Sequence, residues 1–369
     1  MTNLLAGANM KTKAATLADV ARHANVSYQT VSRVLNNSAN VSAKTRQKIE
    51  QAIAELKYVP NRVAQQLVGK ESKTVGLVTT SLALHAPSQI AAAVKKYAGE
   101  QGYQVLISMI DDVDIKGIQA AINDLKAQRV TKIIINAPLE TALAETLVAE
   151  NSDVLCLFLD VDPYSPVFNV TFNPAEGARA SVKYLYDLGH RQFCLISGPE
   201  NSVPARLRLN TWRDTLASLQ LAPLAIHYGS WDAQSGYLAT LQMLRETPQA
   251  TALLIANDQM ALGALSALHQ QKRKIPQDIS VIGYDDTYES AFFEPSLTTV
   301  AIDFDLQGKI SVQQILQPDD EHAMLRSSTI LPSRLVVRNS AGPLHSPQTD
   351  LMNIAEHLRT LADELTRKA

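Results

Sequence analysis

Eight nearly continuous apolar runs constrain the fold of this chain more than any other feature of its sequence. They begin near Val75 and alternate with amphipathic segments of helical period. Such runs predict strands that are buried on both faces, as in parallel sheets covered by helices. Because the pattern restarts after about residue 173, we predict an α/β core of two lobes rather than one sheet. The runs are VGLVTTS, QVLISMI, KIIINA, VLCLFLD, FCLISG, AIHYGSW, ALLIAND and SVIGYDD.

Polar or aromatic side chains stand where several of these predicted strands end. The carboxyl ends of parallel strands meet at one edge of a sheet, and ligands of open α/β folds bind in the crevice there. The sequence therefore predicts a ligand cleft between the two lobes. The side chains at these strand ends are Asn136, Asp160, Trp231, Asn257 with Asp258, and Asp285 with Asp286.

Three short helical patterns precede the lobes. Thr16 and Asp19 have the spacing of a capping box, Ser27 follows a break and can cap a second helix, and Ser42 can cap a third. The first two helices are joined by a tight turn, so we predict a helix-turn-helix head. In its second helix, SYQTVSRVLN, the apolar residues Val31, Val34 and Leu35 point one way and the polar residues point elsewhere.

Charge is distributed unevenly along the chain. Residues 1–70 contain ten Lys and Arg against three acidic residues, whereas the whole chain has a net charge of −2. A basic head on an acidic body indicates a polyanionic partner, and nucleic acid is the leading candidate. A solvated basic surface is the alternative reading of the charge alone.

Two further segments lie outside the head and the core. Residues 61–69 (NRVAQQLVG) form a possible short helix that is too short to be stable alone in water. Near the end of the chain, apolar residues recur at alternating three- and four-residue spacing, which predicts a self-associating heptad helix. We predict a head at 1–58, a hinge helix at 59–71, a core at 72–340, and a linker with a heptad helix at 341–369. The heptad positions are Leu351, Ile354, Leu358, Leu361 and Leu365.

Several classes of protein are not indicated. Cys156 and Cys194 lie in apolar runs and suggest core residues in a reducing compartment, with no metal site and no cofactor motif. The first residues lack the pattern of an export signal, and no apolar run has membrane-spanning length. We expect a cytoplasmic, nucleoid-associated protein with no membrane partner, whose translation starts at Met1 or Met10.

From Thr16 onward the chain contains seven distinctive motifs: YQTVSRV, VSAKTR, PNRVAQQL, TSLALHAPSQI, ARLRL, ANDQMALGA and GYDDT. With these motifs, the order of head, hinge, two-lobed core and heptad tail resembles the LacI family of bacterial repressors. The resemblance implies a periplasmic-binding-protein-like core, binding to double-stranded operator DNA, and release by a small galactoside-like sugar rather than enzymatic activity. It also implies a homodimer that assembles into a homotetramer.

The resemblance assigns DNA contacts to the head and the hinge. Tyr28, Gln29 and Arg33 would read base edges in the major groove, and Leu67 would wedge into the minor groove. The alternatives are a solvated helix face for the first three, and a capping contact with the core for Leu67. The resemblance also assigns residues that would contact DNA phosphates and set the register of the head on the duplex. These residues are Thr16, Leu17, Ser27, Thr30, Ser32, Asn36, Asn40, Ser42, Thr45, Asn61 and Ala64.

The resemblance also assigns the cleft. Trp231 would stack on a sugar ring, while Arg and carboxylate groups would hold its hydroxyls. A buried Asp paired with Arg is alternatively a structural ion pair. The assigned polar positions are Asn136, Asp160, Arg208, Asn257, Gln259 and Asp285. The apolar walls are Leu84, Ala86, Pro87, Ile90, Leu159, Phe172 and Phe304.

The cleft departs from the resembled pattern at two positions. Pro204 stands where a Ser is expected, and Gln307 stands where a Leu is expected, so ligand preference can differ. Three other functions remain to be weighed: a sugar-binding transport or chemotaxis protein, a glycosidase, and a regulator whose ligand strengthens DNA binding. The head argues against the first, the lack of an acid–nucleophile motif against the second, and Trp231 against the third.

Overall fold

The computed structural model describes residues 15–35, 40–59, 72–111, 113–317 and 328–344. Its contacts divide the chain into two compact units, Met1–Ser72 and Lys73–Ala369. The predicted hinge from residue 60 onward and the heptad positions lie outside the described residues. The hinge helix, the heptad helix and the exact domain bounds therefore remain predictions.

The first unit contains the three helices predicted for the head, α1 (Leu17–His23), α2 (Tyr28–Leu35) and α3 (Ala43–Glu55). The caps are as predicted. Thr16 and Asp19 form a reciprocal capping box, and Ser27 and Ser42 accept bonds from the backbone amides of Thr30 and Thr45. The helices share a small core centred on the fully buried Val20, Val31 and Ile49. Helix α2 is thereby fixed by one face, with the opposite face exposed.

The first lobe of the second unit is a four-stranded parallel sheet of order β2-β1-β3-β4. Its strands coincide with the first four apolar runs. The elements are β1 (Thr74–Thr79), α4 (His85–Glu100), β2 (Gln104–Met109), α5 (Ile115–Ala127), β3 (Lys132–Asn136), α6 (Thr141–Glu150) and β4 (Leu155–Phe158). A further short strand, β5 (Val170–Phe172), follows this sheet.

The second lobe contains a parallel sheet whose strands run in the order β10-β9-β8-β6-β7. The four remaining apolar runs are confirmed as strands. The elements are α7 (Pro174–Asp187), β6 (Phe193–Ser197), α8 (Val203–Ser218), β7 (Ala225–Tyr228), α9 (Ala233–Glu246), β8 (Ala252–Ile255), α10 (Asp258–Gln270), β9 (Ser280–Asp285), a 3₁₀ helix (Tyr288–Phe292) and β10 (Thr298–Ala301).

The chain crosses between the lobes three times rather than once at residue 173. After β10 it returns to the first lobe as α11 (Phe304–Ile315), which packs on α4, and as β11 (Thr329–Leu331), which pairs with β5. It then crosses back to form β12 (Arg334–Val336), antiparallel to β10 at the edge of the second sheet. The apolar pattern did not predict β5, β11 or β12, which have three residues each. It also did not predict β10, whose sequence TTVA begins with two polar residues.

No helix among the described residues is long and apolar enough to cross a bilayer. Cys156 and Cys194 are buried free thiols, as predicted from their apolar surroundings.

Candidate functional site

Helix α2 has the geometry expected of a DNA-reading helix. Val31 and Val34 are buried against the head, whereas Tyr28 is 60% exposed and Gln29 and Arg33 are exposed. At about 100° per residue, these three exposed side chains fall within one arc opposite the buried residues. An exposed Arg and Gln on a helix anchored from behind can reach base edges in a major groove.

The N-termini of α2 and α3 offer two further anion-binding features. Neither first turn contains an acidic residue, and the cap hydroxyls of Ser27 and Ser42 each also bond a Thr hydroxyl, at 2.8 Å from Thr30 and Thr45. Unpaired backbone amides and the positive end of the helix dipole favour phosphate at such termini.

The other predicted head residues have mixed placements. Thr16 serves as the cap of α1, and Leu17 is half-buried against the head core. Ser32 is half-buried and Asn40 is exposed. Four predicted DNA contacts, namely Asn36, Asn61, Ala64 and Leu67, lie outside the described residues.

A cavity of about 300 Å³ lies between the two lobes, at the carboxyl ends of their parallel strands. Its size is at the lower end of the range of small-molecule sites. It forms at the points where strand order reverses in each sheet, β1 with β3 and β6 with β8. The predicted residues that line it are Leu84, Ala86, Pro87, Leu159, Asp160, Phe172, Arg208, Trp231, Asn257, Gln259, Asp285 and Phe304.

Arg208 is the central cation of this cavity. Its Nη1 donates to the carbonyl oxygen of Ala256, and its Nη2 lies 3.6 Å from a carboxylate oxygen of Asp285. The guanidinium lies over the Tyr284 ring at 3.9 Å and 5.7 Å from the centroid of Trp231. These contacts fix the guanidinium plane and leave N–H groups that can bind a ligand oxygen.

Asp160 and Asp285 supply two carboxyl groups beside that cation. Burial raises the pKa of Asp160 to about 6, against the opposing effect of Arg208. Burial also raises the pKa of Asp285 to about 8, with Arg208 opposing and Asp258 and Asp160 reinforcing the shift. One guanidinium therefore does not compensate the burial of both carboxyl groups, and hydrogen-bond donors from a ligand would stabilise them.

Trp231 is held in place by two neighbours, Asn257 and Gly198. Its backbone has a φ of 70°, an uncommon conformation for a residue with a side chain. Asn257 stabilises it, because its Nδ2 donates to the Trp231 carbonyl oxygen at 2.9 Å while its Oδ1 caps α10 through the Met260 amide. The ring lies so close to Gly198 that a Cβ there would overlap it. The indole face is thus a rigid part of the cavity wall.

Two contacts join the lobes beside the cavity. The backbone amide of His85 in the first lobe donates to Oε1 of Gln259 in the second, at 3.2 Å. Arg206 of α8 pairs with Glu140, the residue before α6, at 2.7 Å. The lobes are therefore in direct polar contact at two places.

Two predicted ligand residues do not line the cavity. Ile90 is 2% exposed and packs in the main core with Leu77 and Val94. Asn136 is also buried, and its Nδ2 donates to Thr79 Oγ1 at 3.2 Å across the ends of β3 and β1. Ile90 was predicted from the resemblance alone, whereas Asn136 was also predicted from its position at the end of a strand.

Pro204 and Gln307, which the sequence analysis placed in the cleft as departures from the resembled pattern, do line the cavity. The cavity also contains residues that the sequence did not predict. Burial lowers the pKa of the His85 imidazole, which packs edge-on against Phe304. Thr80, Pro138, Pro199 and Ile302 come one or two residues after a strand, so the strand-end argument could have found these four. Missed residues include Thr80, His85, Pro138, Pro163, Thr171, Pro199, Ser202, Tyr284 and Ile302.

Within the part of the chain that the structure describes, no group of three or more His, Cys, Asp or Glu side chains could hold a metal ion.

Comparison with known proteins adds independent information. Residues 16–61 match the family described as bacterial regulatory proteins, lacI family, and residues 182–341 match the periplasmic binding protein-like domain. The lactose operon repressor of Klebsiella pneumoniae is 46% identical, covering 96% of this chain and 100% of that protein.

Two solved structures are also similar. One is a lac repressor dimer bound to operator and the anti-inducer ONPF, with 47% identity and a TM-score of 0.85, covering 89% of this chain and 100% of that one. The other is a dimeric lac repressor with an 11-residue C-terminal deletion, with 42% identity and a TM-score of 0.71, covering 74% and 100%. With the helix-turn-helix head and the two-lobed cleft, these similarities show that the chain belongs to the LacI family of bacterial regulatory proteins, which are DNA-binding transcriptional repressors and not enzymes.

Proposed function

We propose that this repressor binds a pseudo-palindromic operator as a dimer and leaves it when a small galactoside occupies the cleft, in the manner of lactose-operon control. The observation that carries the proposal is the cavity in which Arg208 and the carboxyl groups of Asp160 and Asp285 lie beside the Trp231 ring. The similarity to lactose operon repressors supports the same conclusion.

The chemistry of the cavity fits a sugar. Guanidinium N–H groups and carboxyl oxygens can each bind vicinal hydroxyls, and the indole offers a flat apolar surface for the C–H face of a ring. A volume of about 300 Å³ fits a sugar with a small aglycone. Pro204 replaces an expected hydroxyl with an apolar ring, so the preference for the aglycone of the sugar can differ from that of the resembled proteins.

The head accounts for operator binding. Arg33 is suited to guanine and Gln29 to adenine, and Tyr28 lies on the same exposed arc. The amides at the starts of α2 and α3 would bind phosphates and set the register. Leu67 of the hinge would enter the minor groove.

A homodimer of this chain would have the two-fold symmetry that the two half-sites of the operator require. Tyr288 and Phe292, which are 80% and 71% exposed with ring centroids 5.3 Å apart, form an apolar surface suited to the dimer face. The heptad helix would join two dimers into a tetramer able to bind two operators at once. A dimeric lac repressor that lacks 11 C-terminal residues supports that role.

The switch follows from linkage. If a sugar weakens operator binding by some factor, the operator must weaken sugar binding by the same factor. We place the protein in the bacterial cytoplasm at the nucleoid, where chromosomal operators are found.

One titration tests the proposal. Operator fragments bearing lac-type half-sites are bound at fixed salt, and galactosides, glucosides and other sugars are then added. Galactosides should lower operator affinity and other sugars should not. A sugar that raises operator affinity would indicate a corepressor-dependent regulator, and no effect from any sugar would reject the proposed inducer class. If the protein converts the added sugar into another product, the proposal that it only binds the sugar is wrong.

A further inference from the structure

Gln307 lies on the cavity wall contributed by the first lobe. It occupies the second turn of α11, is 1% exposed and lines the cavity. Phe304, one turn earlier, lines the same wall with Phe172, and their ring centroids are 5.9 Å apart. The amide is therefore a polar group beside an otherwise aromatic surface.

The hydrogen bonds fix the orientation of the Gln307 amide. Nε2 donates to the backbone carbonyl oxygen of Val170 in β5 at 2.8 Å. A carbonyl oxygen only accepts, so the amide nitrogen must face β5. The other end of the amide is then necessarily the acceptor Oε1.

Oε1 of Gln307 accepts no hydrogen bond from any residue that the structure describes, although it is buried. Buried polar atoms are nearly always paired, and an unpaired acceptor destabilises the fold. An acceptor without a protein partner at the wall of a ligand cavity needs a donor from the ligand or from water.

We propose that Oε1 of Gln307 accepts a hydrogen bond from a sugar hydroxyl on the side of the ligand that faces β5 and α11. This inference rests on the proposed sugar-binding function and deepens it. The cleft would select ligands with a free hydroxyl at that position over deoxy or O-methyl analogues. A site built to bind a hydroxyl discriminates strongly against a ligand that lacks it, because the buried acceptor is then left unpaired.

The test compares methyl galactoside with its single-position deoxy analogues in the full-length protein. In the natural protein, one deoxy analogue should bind about 10-fold or more weakly than the parent because of Gln307. In Gln307→Leu and Gln307→Met, that penalty should fall to less than about 3-fold, while the penalties at other positions stay unchanged. Titration calorimetry measures the affinity of each protein for the parent sugar and for each deoxy analogue.

Two further variants give the test its specificity. Gln307→Glu, protonated in this buried setting, can donate to Val170 and still accept from the ligand, so it should retain the penalty. Gln314 lies two turns further along α11, its Nε2 donates to Thr329 Oγ1 at 2.6 Å, and it does not line the cavity. Gln314→Leu should therefore leave the affinity penalty of every deoxy analogue unchanged.

The outcomes separate the two proposals. If the deoxy penalties are the same in the natural protein and in both apolar variants, Oε1 is satisfied by water and only the present inference fails. If the Gln314 variant changes the profile as much as the Gln307 variants, the effect is not local and the inference also fails. If no galactoside binds the natural protein, the proposed inducer class fails first and the inference fails with it. Operator binding and thermal melting of each variant confirm that it is folded.

Discussion

Arg206 and Glu140 form a two-point ion pair across the cleft. Nη1 lies 2.7 Å from one carboxylate oxygen, and Nη2 donates to the other at 3.0 Å. Arg206 belongs to the second lobe and Glu140 to the first, so this geometry exists only while the lobes are close at this point. The pair thus reports on the arrangement of the two lobes.

Arg206→Ala should lower sugar affinity by about 2- to 5-fold, because both side chains are well exposed and such pairs stabilise weakly. Lys96→Ala is the matched control. It removes another exposed ion pair, with Asp305 at 3.1 Å, between α4 and α11 of the same lobe. Titration calorimetry measures the sugar affinity of both variants and of the natural protein. Equal losses of affinity would show that the Arg206 pair has no special role in bringing the lobes together.

Gly198→Ala should weaken sugar binding by at least about 10-fold, because the new Cβ would push the Trp231 ring out of position. Gly99→Ala is the control, since a Cβ at Gly99 meets no atom within 4 Å. Ligand-dependent tryptophan fluorescence measures the effect, because Trp231 lines the cavity whereas Trp212 is 1% exposed. Unchanged sugar affinity in Gly198→Ala would mean that the ring does not contact the ligand.

The ligand-free core should lose stability as pH rises from about 6 to about 8. Burial raises the pKa of Asp285 to about 8, so the folded state holds a proton that the unfolded state has released. The free energy of unfolding must then fall with rising pH until the folded-state pKa is passed. Urea unfolding at pH 6, 7 and 8 measures this slope.

Asp285→Asn should remove the slope between pH 6 and pH 8. Asp160→Asn should leave it in place, because the pKa of Asp160 is raised only to about 6 and its effect lies at lower pH. A natural protein whose stability is flat or rising over this interval would contradict the prediction.

Val31→Ala should destabilise the head by about 2 kcal/mol, since it removes fully buried methyl groups from a small core. Tyr28→Ala removes a side chain that is 60% exposed, so it should leave head stability nearly unchanged while weakening operator binding. Amide hydrogen exchange of α2 in the full chain separates the two effects. Equal loss of protection in both variants would mean that Tyr28 supports the head rather than reading DNA.

Much of the fold was predictable because the long strands are continuous apolar runs. The head was predictable for a similar reason: the caps at Thr16, Ser27 and Ser42 are local side chain–backbone bonds that sequence spacing specifies. The strands β5 and β11 were missed because three residues give no periodic signal. The return of α11 to the first lobe was missed because it depends on packing against α4, far away in the sequence.

The cleft was predicted in its chemistry but not in its details. Strand-end placement located four residues that line the cavity, namely Asp160, Trp231, Asn257 and Asp285. The same argument also named Asn136, Asp258 and Asp286, which do not line it. Local backbone geometry was not predictable, since φ values of 70° at Trp231 and 112° at Asp285 occur at residues that do not favour them. The unpaired oxygen of Gln307 depends on a bond to β5, which only the assembled structure shows.

The three crossings have a consequence for building hybrid proteins from members of this family. The first lobe consists of β1 through β5 together with α11 and β11, and the second lobe contains every element between them in the chain and also β12. A hybrid joined once, after residue 173, would combine a four-stranded sheet from one parent with α11 and β11 from the other. Exchange of an intact lobe requires three junctions, at 173, near 303 and near 332. The ligand wall carrying Gln307 is therefore inherited with the sequence that follows the second lobe, although in space it belongs to the first.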